Sequence, residues 1–129
     1  MTYDLELLQE SALSCGFKVN DVAEHILKVE LMPGVVLGFQ NYEDPEESLI
    51  GFQNVGWHTH GDLNFSDKEG RYLELEYTNL LTELKAGNVL VCDEYCAGTL
   101  RNRSLVHRKY SDEVRFMKPG DEIRFRQCA

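Results

Sequence analysis

MPGVVLGFQNYEDPEESLIGFQN, residues 32–54, carries a turn at its front and an echo around its middle. Pro33 and Gly34 occupy the two central positions of a type II turn, because the Pro ring presets φ at the first and Gly takes the positive φ of the second without steric cost. The chain therefore reverses before VVLGFQNY. The tetrapeptide GFQN begins at Gly38 and again at Gly51, and the two copies flank the acidic loop Glu43-Asp44-Pro45-Glu46-Glu47. A single echo is too short to define a repeat architecture. Two β-rich runs around a polar, Pro-containing loop do read as an antiparallel pair with the acids at its tip.

The remaining elements agree with such a sheet. Asp4 is placed to cap a first helix whose apolar positions Leu5, Leu8, Ala12 and Cys15 form a stripe, and Gly16 follows at the natural stop. Residues 22–31 read both ways: Asp21 and Glu24 resemble a capping box, whereas Ile26 to Leu31 is β-rich and favours a strand by its end. After Gly70, Leu73, Tyr77, Leu80, Leu81 and Leu84 recur at helical spacing, with Lys85 and Gly87 at a suitable terminus, so the expectation is one helix through YLELEYTNLLTELKAG. From Asn88 onward the pattern is a meander: a strand to Tyr95, a turn at Ala97-Gly98, a strand over Thr99 to Arg108, and two short strands around Lys118-Pro119-Gly120-Asp121. The expected architecture is a single α+β domain over residues 1–129, mostly antiparallel β-sheet packed with one or two α-helices. A chain of 129 residues buries enough apolar surface to fold without metals or disulfides.

Charge narrows the partners. The formal net charge is −9, and it is unevenly spread: residues 1–97 hold 18 acids against 5 bases, and residues 98–129 hold 4 against 8. An acidic majority repels nucleic acid and steers basic proteins toward the surface. Arg101 with Arg103, and Arg124 with Arg126, are each spaced to share a strand face, where pairing with acidic neighbours is expected ahead of phosphate binding. Cys15, Cys92, Cys96 and Cys128 form no C-x-x-C pair and read as reduced thiols. There is no long apolar run, and the acidic start MTYDLELLQES is unlike a signal peptide, so the expected location is cytoplasmic.

Chemistry concentrates in Gly51 to Asp67, GFQNVGWHTHGDLNFSD, which holds the only Trp and two of the four His. In an extended strand His58 and His60 leave the same face, about 6.5–7 Å apart at Cα, close enough to converge on one metal. A structural zinc site takes four protein ligands and a catalytic one three plus water. Asp62, on the same strand face, and Asp67 or Glu69, returning from the next loop, are the nearby candidates. The competing expectation makes Val55 and Trp57 the anchors of one strand face, with Trp57 in the core and its edge near the surface, and leaves the histidines to ordinary hydrogen bonds. His25 and His107 are expected in packing or hydrogen-bonding roles.

No G-x-S-x-G elbow, phosphate-binding glycine loop, paired C-x-x-C cage or H-E-x-x-H helix is present. Two resemblances remain. His58-Thr59-His60, with Ser66, Glu69 and the upstream Glu30, resembles the JAMM (MPN+) metalloproteases, in which such residues hold zinc and activate water. Gly61 stands where that family has Pro, Glu69 where it has Asp, and the intervals are shorter. That resemblance implies His58 and His60 as zinc ligands and Glu30 as base. The second covers residues 50 to the end: WHTH, an amphipathic helix ending in Lys-Ala-Gly, VLVCDEY, a Gly turn and further strands are similar to small bacterial immunity proteins of polymorphic toxin systems. It implies stoichiometric neutralisation of a toxin, many of which are basic nucleases. The preferred expectation is this binding role without turnover or cofactor, with Glu43, Asp44, Glu46 and Glu47 attracting a basic protein partner and Trp57 anchoring it.

Overall fold

In the computed structural model, residues 1–43, 47–111 and 118–128 are described. Helix α1 spans Leu5–Ser14 and is followed by strands β1 (Lys18–Ala23), β2 (Ile26–Met32), β3 (Val35–Tyr42), β4 (Glu47–Phe52) and the two-residue β5 (His58–Thr59). These five strands form one antiparallel sheet in chain order. A hairpin of β6 (Leu63–Ser66) and β7 (Tyr72–Leu75) comes next, then a 3-10 turn over Tyr77–Asn79 and helix α2 (Leu80–Ala86). Strands β8 (Val89–Cys96), β9 (Thr99–His107) and β10 (Asp121–Arg126) close the chain as a second antiparallel sheet ordered β10-β8-β9. The expected α+β class, mostly antiparallel sheet with two short helices, is what the chain adopts.

Alternation sets the register of the larger sheet. Leu27, Val29 and Leu31 on β2, Val35, Leu37 and Phe39 on β3, and Ile50 and Phe52 on β4 are buried, while their neighbours point to the other face. Shifting a strand by one residue would expose this whole set, so burial fixes the pairing. Leu27 stands opposite Phe39, Val29 opposite Leu37, and Phe39 opposite Ile50. Helix α1 packs on the inner face through Leu8 and Ala12, and Asp4 caps it by accepting from the Leu7 N–H at 3.1 Å. Leu80, Leu81 and Leu84 of α2, Val89 and Val91 of β8, and Leu105 of β9 join the same core.

One ambiguity resolves in favour of strand, and two local expectations need correction. Residues 22–31 contain no helix: Val22 pairs with Leu27, and Glu24 and His25 form a two-residue link between β1 and β2. Burial of three alternate side chains on β2 outweighs a capping box, whose contribution is about 1 kcal/mol. The helical stripe after Gly70 begins too early, because Leu73 and Leu75 face Phe65 and Leu63 across the β6–β7 pair, leaving only Leu80–Ala86 helical. That helix ends as expected at Gly87, which is left-handed at φ 82°. Finally, the strand carrying His58 stops at Thr59, and Gly61 at φ 66° turns the chain before Asp62. In the second sheet Ala97 and Gly98, at φ 50° and 83°, make the two positive-φ positions of a type I′ hairpin. The short strand expected before Lys118 lies outside the described residues.

Candidate functional site on the open face of the five-stranded sheet

The inner face of the large sheet is the core, and the outer face carries the side chains that alternate with it. One line of register partners crosses this face: Lys28, Gly38, Gly51 and His58. The two central members have no side chain, so the sheet is dented there. The hollow has a volume of about 280 Å³. Ile26 and Leu49 border it on one side, Val36 and Trp57 on the other, and Lys28 and His58 also line it. The GFQN echo thus has a structural meaning that spacing alone did not give: in antiparallel pairing the two copies run in opposite directions, and only their glycines face each other.

Trp57 is partly buried and packs its ring 5.8 Å from that of Phe52, against the core cluster. Its remaining edge borders the hollow, so it combines the core role expected of it with a surface available for contact.

His58 and His60 do leave the same side of the chain. Their rings lie 5.1 Å apart, edge to face. His58 Nδ1 is 3.0 Å from the Gly56 carbonyl oxygen and His60 Nδ1 is 2.9 Å from that of Ser48. A carbonyl only accepts, so each neutral ring places its proton on Nδ1 and keeps an Nε2 lone pair, which is the arrangement second-shell carbonyls impose on metal-ligating histidines. The third donors suggested by the sequence are engaged elsewhere. Asp62 Oδ1 accepts from the Tyr77 N–H at 2.8 Å. Asp67 accepts from the Glu69 and Arg71 N–H groups and from the Arg71 guanidinium, and Arg71 also holds Glu69 at 2.8 Å. Partial burial works to raise the Asp67 pKa, but these hydrogen bonds prevail and hold it below the ordinary carboxylate value. Glu30 accepts from the Gly34 N–H at 3.2 Å and lies 3.9 Å from the Lys18 ammonium, bound into the β2–β3 turn. Among the described residues no group of three His, Cys, Asp or Glu side chains gathers as a metal site would require.

The acidic tip joins β3 to β4. Glu43 and Glu47 flank it, while Asp44 and Glu46 lie outside the described residues. Glu43 is exposed, with its carboxylate 2.9 Å from His25 Nε2, and Glu47 sits 3.2 Å from His60 Nδ1. Each end of the tip is therefore met by an imidazole from a neighbouring segment, and both carboxylates keep solvent access, at 77% and 46% exposure.

The basic carboxy-terminal strands pair internally. Asp93, fully buried on β8, receives Arg103 Nε at 2.6 Å and Arg126 Nη1 at 3.1 Å. Arg101 reaches Asp121 at 3.5 Å, and Arg124 binds Glu122 at 2.9 Å while lying 4.6 Å over the Tyr95 ring. Asp93 as the hub of this network was missed by sequence reading, because nothing in VLVCDEY distinguishes a buried carboxylate from a solvated one. None of the four cysteines is joined in a disulfide, and burial pushes the Cys128 thiol up to about 11. His107 is buried between the Phe65 and Tyr110 rings, and burial lowers its pKa. No helix among the described residues is long and apolar enough to cross a membrane. Set beside protein-family models, curated proteins and solved structures, the chain matches none of them.

Proposed function

We propose that this protein is a small acidic cytoplasmic binding domain that neutralises a toxin by stoichiometric association, as the immunity proteins it resembles do. One observation carries the reading: Glu43 and Glu47 hold exposed carboxylates at both ends of the β3–β4 tip, in a chain of net charge −9. Clustered negative potential raises the encounter rate with a basic partner, and carboxylates can occupy a surface built for phosphate. Asp44 and Glu46 extend the same tip in sequence. The uncovered edge of Trp57 supplies an apolar anchor on the adjoining face. The internal pairing of Arg101, Arg103, Arg124 and Arg126 supports a protein partner over nucleic acid, because those guanidiniums already have carboxylates. Co-purification from the native cell tests the reading. A basic protein recovered in equal amount, and lost when the tip acids are neutralised, supports it; recovery of the chain alone contradicts it.

A second reading is a zinc-dependent hydrolase centred on His58 and His60. The Nδ1 contacts with backbone carbonyls, which leave each Nε2 free to donate a lone pair, and the 5.1 Å ring separation support this reading. Glu30 does not fit the base role in this arrangement, since its carboxylate is bound to the β2–β3 turn. Zinc retained at one equivalent by the wild type and lost from a His58→Ala/His60→Ala variant would favour this reading over the first.

A further inference from the structure

A glycine in mid-strand normally answers to one of two needs, a positive φ or an approach too close for a Cβ. Gly51 meets the second: a Cβ there would come within 3.2 Å of the Trp57 carbonyl oxygen and 3.4 Å of His58 Cβ. Gly38 meets neither. It is absent from the positive-φ glycines, and its Cβ would touch only the Gly51 carbonyl oxygen at 3.7 Å, an ordinary contact. Glycine in a strand costs roughly 0.5–1 kcal/mol relative to alanine, so the fold itself would be better served by a side chain at this position. What Gly38 does accomplish is to keep the hollow open, with bare peptide planes as its floor.

We propose that this hollow, between Lys28 and His58, is a binding site for a small planar aromatic carboxylate. Its volume of about 280 Å³ is at the low end for small-molecule sites and takes one or two fused rings, not a nucleotide. Flat peptide groups below and the apolar side chains of Ile26, Leu49 and Val36 around it suit a ring, and the Trp57 ring at the border offers an aromatic contact. Lys28 supplies the charge. It stands between two register partners, Asp21 on β1 and Gly38 on β3, and Gly38 has no side chain to reach it. Gln40 borders the same hollow with an amide able to donate to a carboxylate oxygen. The site shares the Trp57 edge with the toxin-binding reading but not its charge, because it attracts an anion to the sheet face whereas the tip attracts cations.

The test is an amide and indole chemical-shift titration of the intact protein with 2-naphthoate, and in parallel with uncharged 2-naphthylmethanol. Saturable shifts at Gly38, Gly51 and the Trp57 indole are expected, with the carboxylate binding the more tightly. Gly38→Val should weaken 2-naphthoate by about tenfold or more by filling the floor. Its melting temperature should equal or exceed that of the wild type. Lys28→Met should weaken 2-naphthoate about fivefold and leave 2-naphthylmethanol unchanged; this variant tests the charge requirement even if Gly38→Val does not fold. Absence of saturable shifts, undiminished binding to a folded Gly38→Val variant, or equal affinity of the wild type for acid and alcohol would each overturn the proposal.

Discussion

The two larger sheets handle charge in opposite ways. On the β10-β8-β9 sheet the carboxylate of Asp93 is fully buried and two guanidiniums close on it, tying β9 and β10 to the strand between them. Around the five-stranded sheet, Glu43 and Glu47 at the β3–β4 tip remain open to water, Lys28 on the outer face stands beside Gly38, and an apolar hollow is left unfilled. Both are β-surfaces with charged rows, yet one spends its charges on its own strands and the other leaves them available. Buried charges must be compensated where they stand, whereas exposed ones cost little and can serve an encounter with something else. The first region is therefore scaffold, and the second is where recognition is expected.

Substitutions sharpen this contrast. Asp93→Ala should cause the largest loss, about 3–5 kcal/mol, because it strips the countercharge from Arg103, whose side chain is only 11% exposed. Chemical denaturation would register it, and a change below about 1 kcal/mol would mean that the network does not hold the strands. Gly38→Ala should move in the other direction, stabilising by roughly 0.5–1 kcal/mol. Gly51→Ala should not, since its Cβ meets the Trp57 carbonyl; equal effects at the two positions would erase the distinction between a glycine kept for space and one kept for packing. Replacing Glu43 and Glu47 by Gln should alter stability by less than about 0.5 kcal/mol, and a large loss would reassign the tip to the scaffold.

The smallest effect should come from His107. Burial lowers its pKa in the folded state, so the unfolded chain takes up its proton first as pH falls. Its contribution is complete above the unfolded value near 6.5 and declines as pH drops below it toward the folded value. The Lys109 N–H donates to Nδ1 at 3.1 Å, which fixes that nitrogen as an acceptor and opposes protonation there. A His107→Gln variant should show a flatter stability profile between pH 7 and 5. An unchanged slope would mean that another group dominates.

The sequence made the β2–β3 turn, the β3–β4 pair and α1 legible, because Pro33-Gly34, strict alternation and the Asp4 cap each act within a few residues of chain. It misled at Tyr72–Leu75, where Leu73 fits a helical stripe and a strand equally, and pairing with the distant Phe65 decides between them. The site divides in the same way. The His-x-His spacing announced a shared face, but a left-handed Gly61 removed Asp62 from it. Gly38 and Gly51 were visible as an echo, yet their opposition, and the hollow it creates, exists only once register joins two strands. Asp93 is a further case, since its importance comes from two arginines 10 and 33 residues away.

The claim that the acidic β3–β4 tip recruits the partner is tested most directly by the association rate with the partner that co-purifies, measured from low to high salt. For the wild type the rate should fall steeply as salt rises, whereas for the variant Glu43→Gln/Asp44→Asn/Glu46→Gln/Glu47→Gln it should be slow at low salt and nearly flat. Identical rates and salt slopes for the two proteins would contradict the claim and place recognition elsewhere on the molecule.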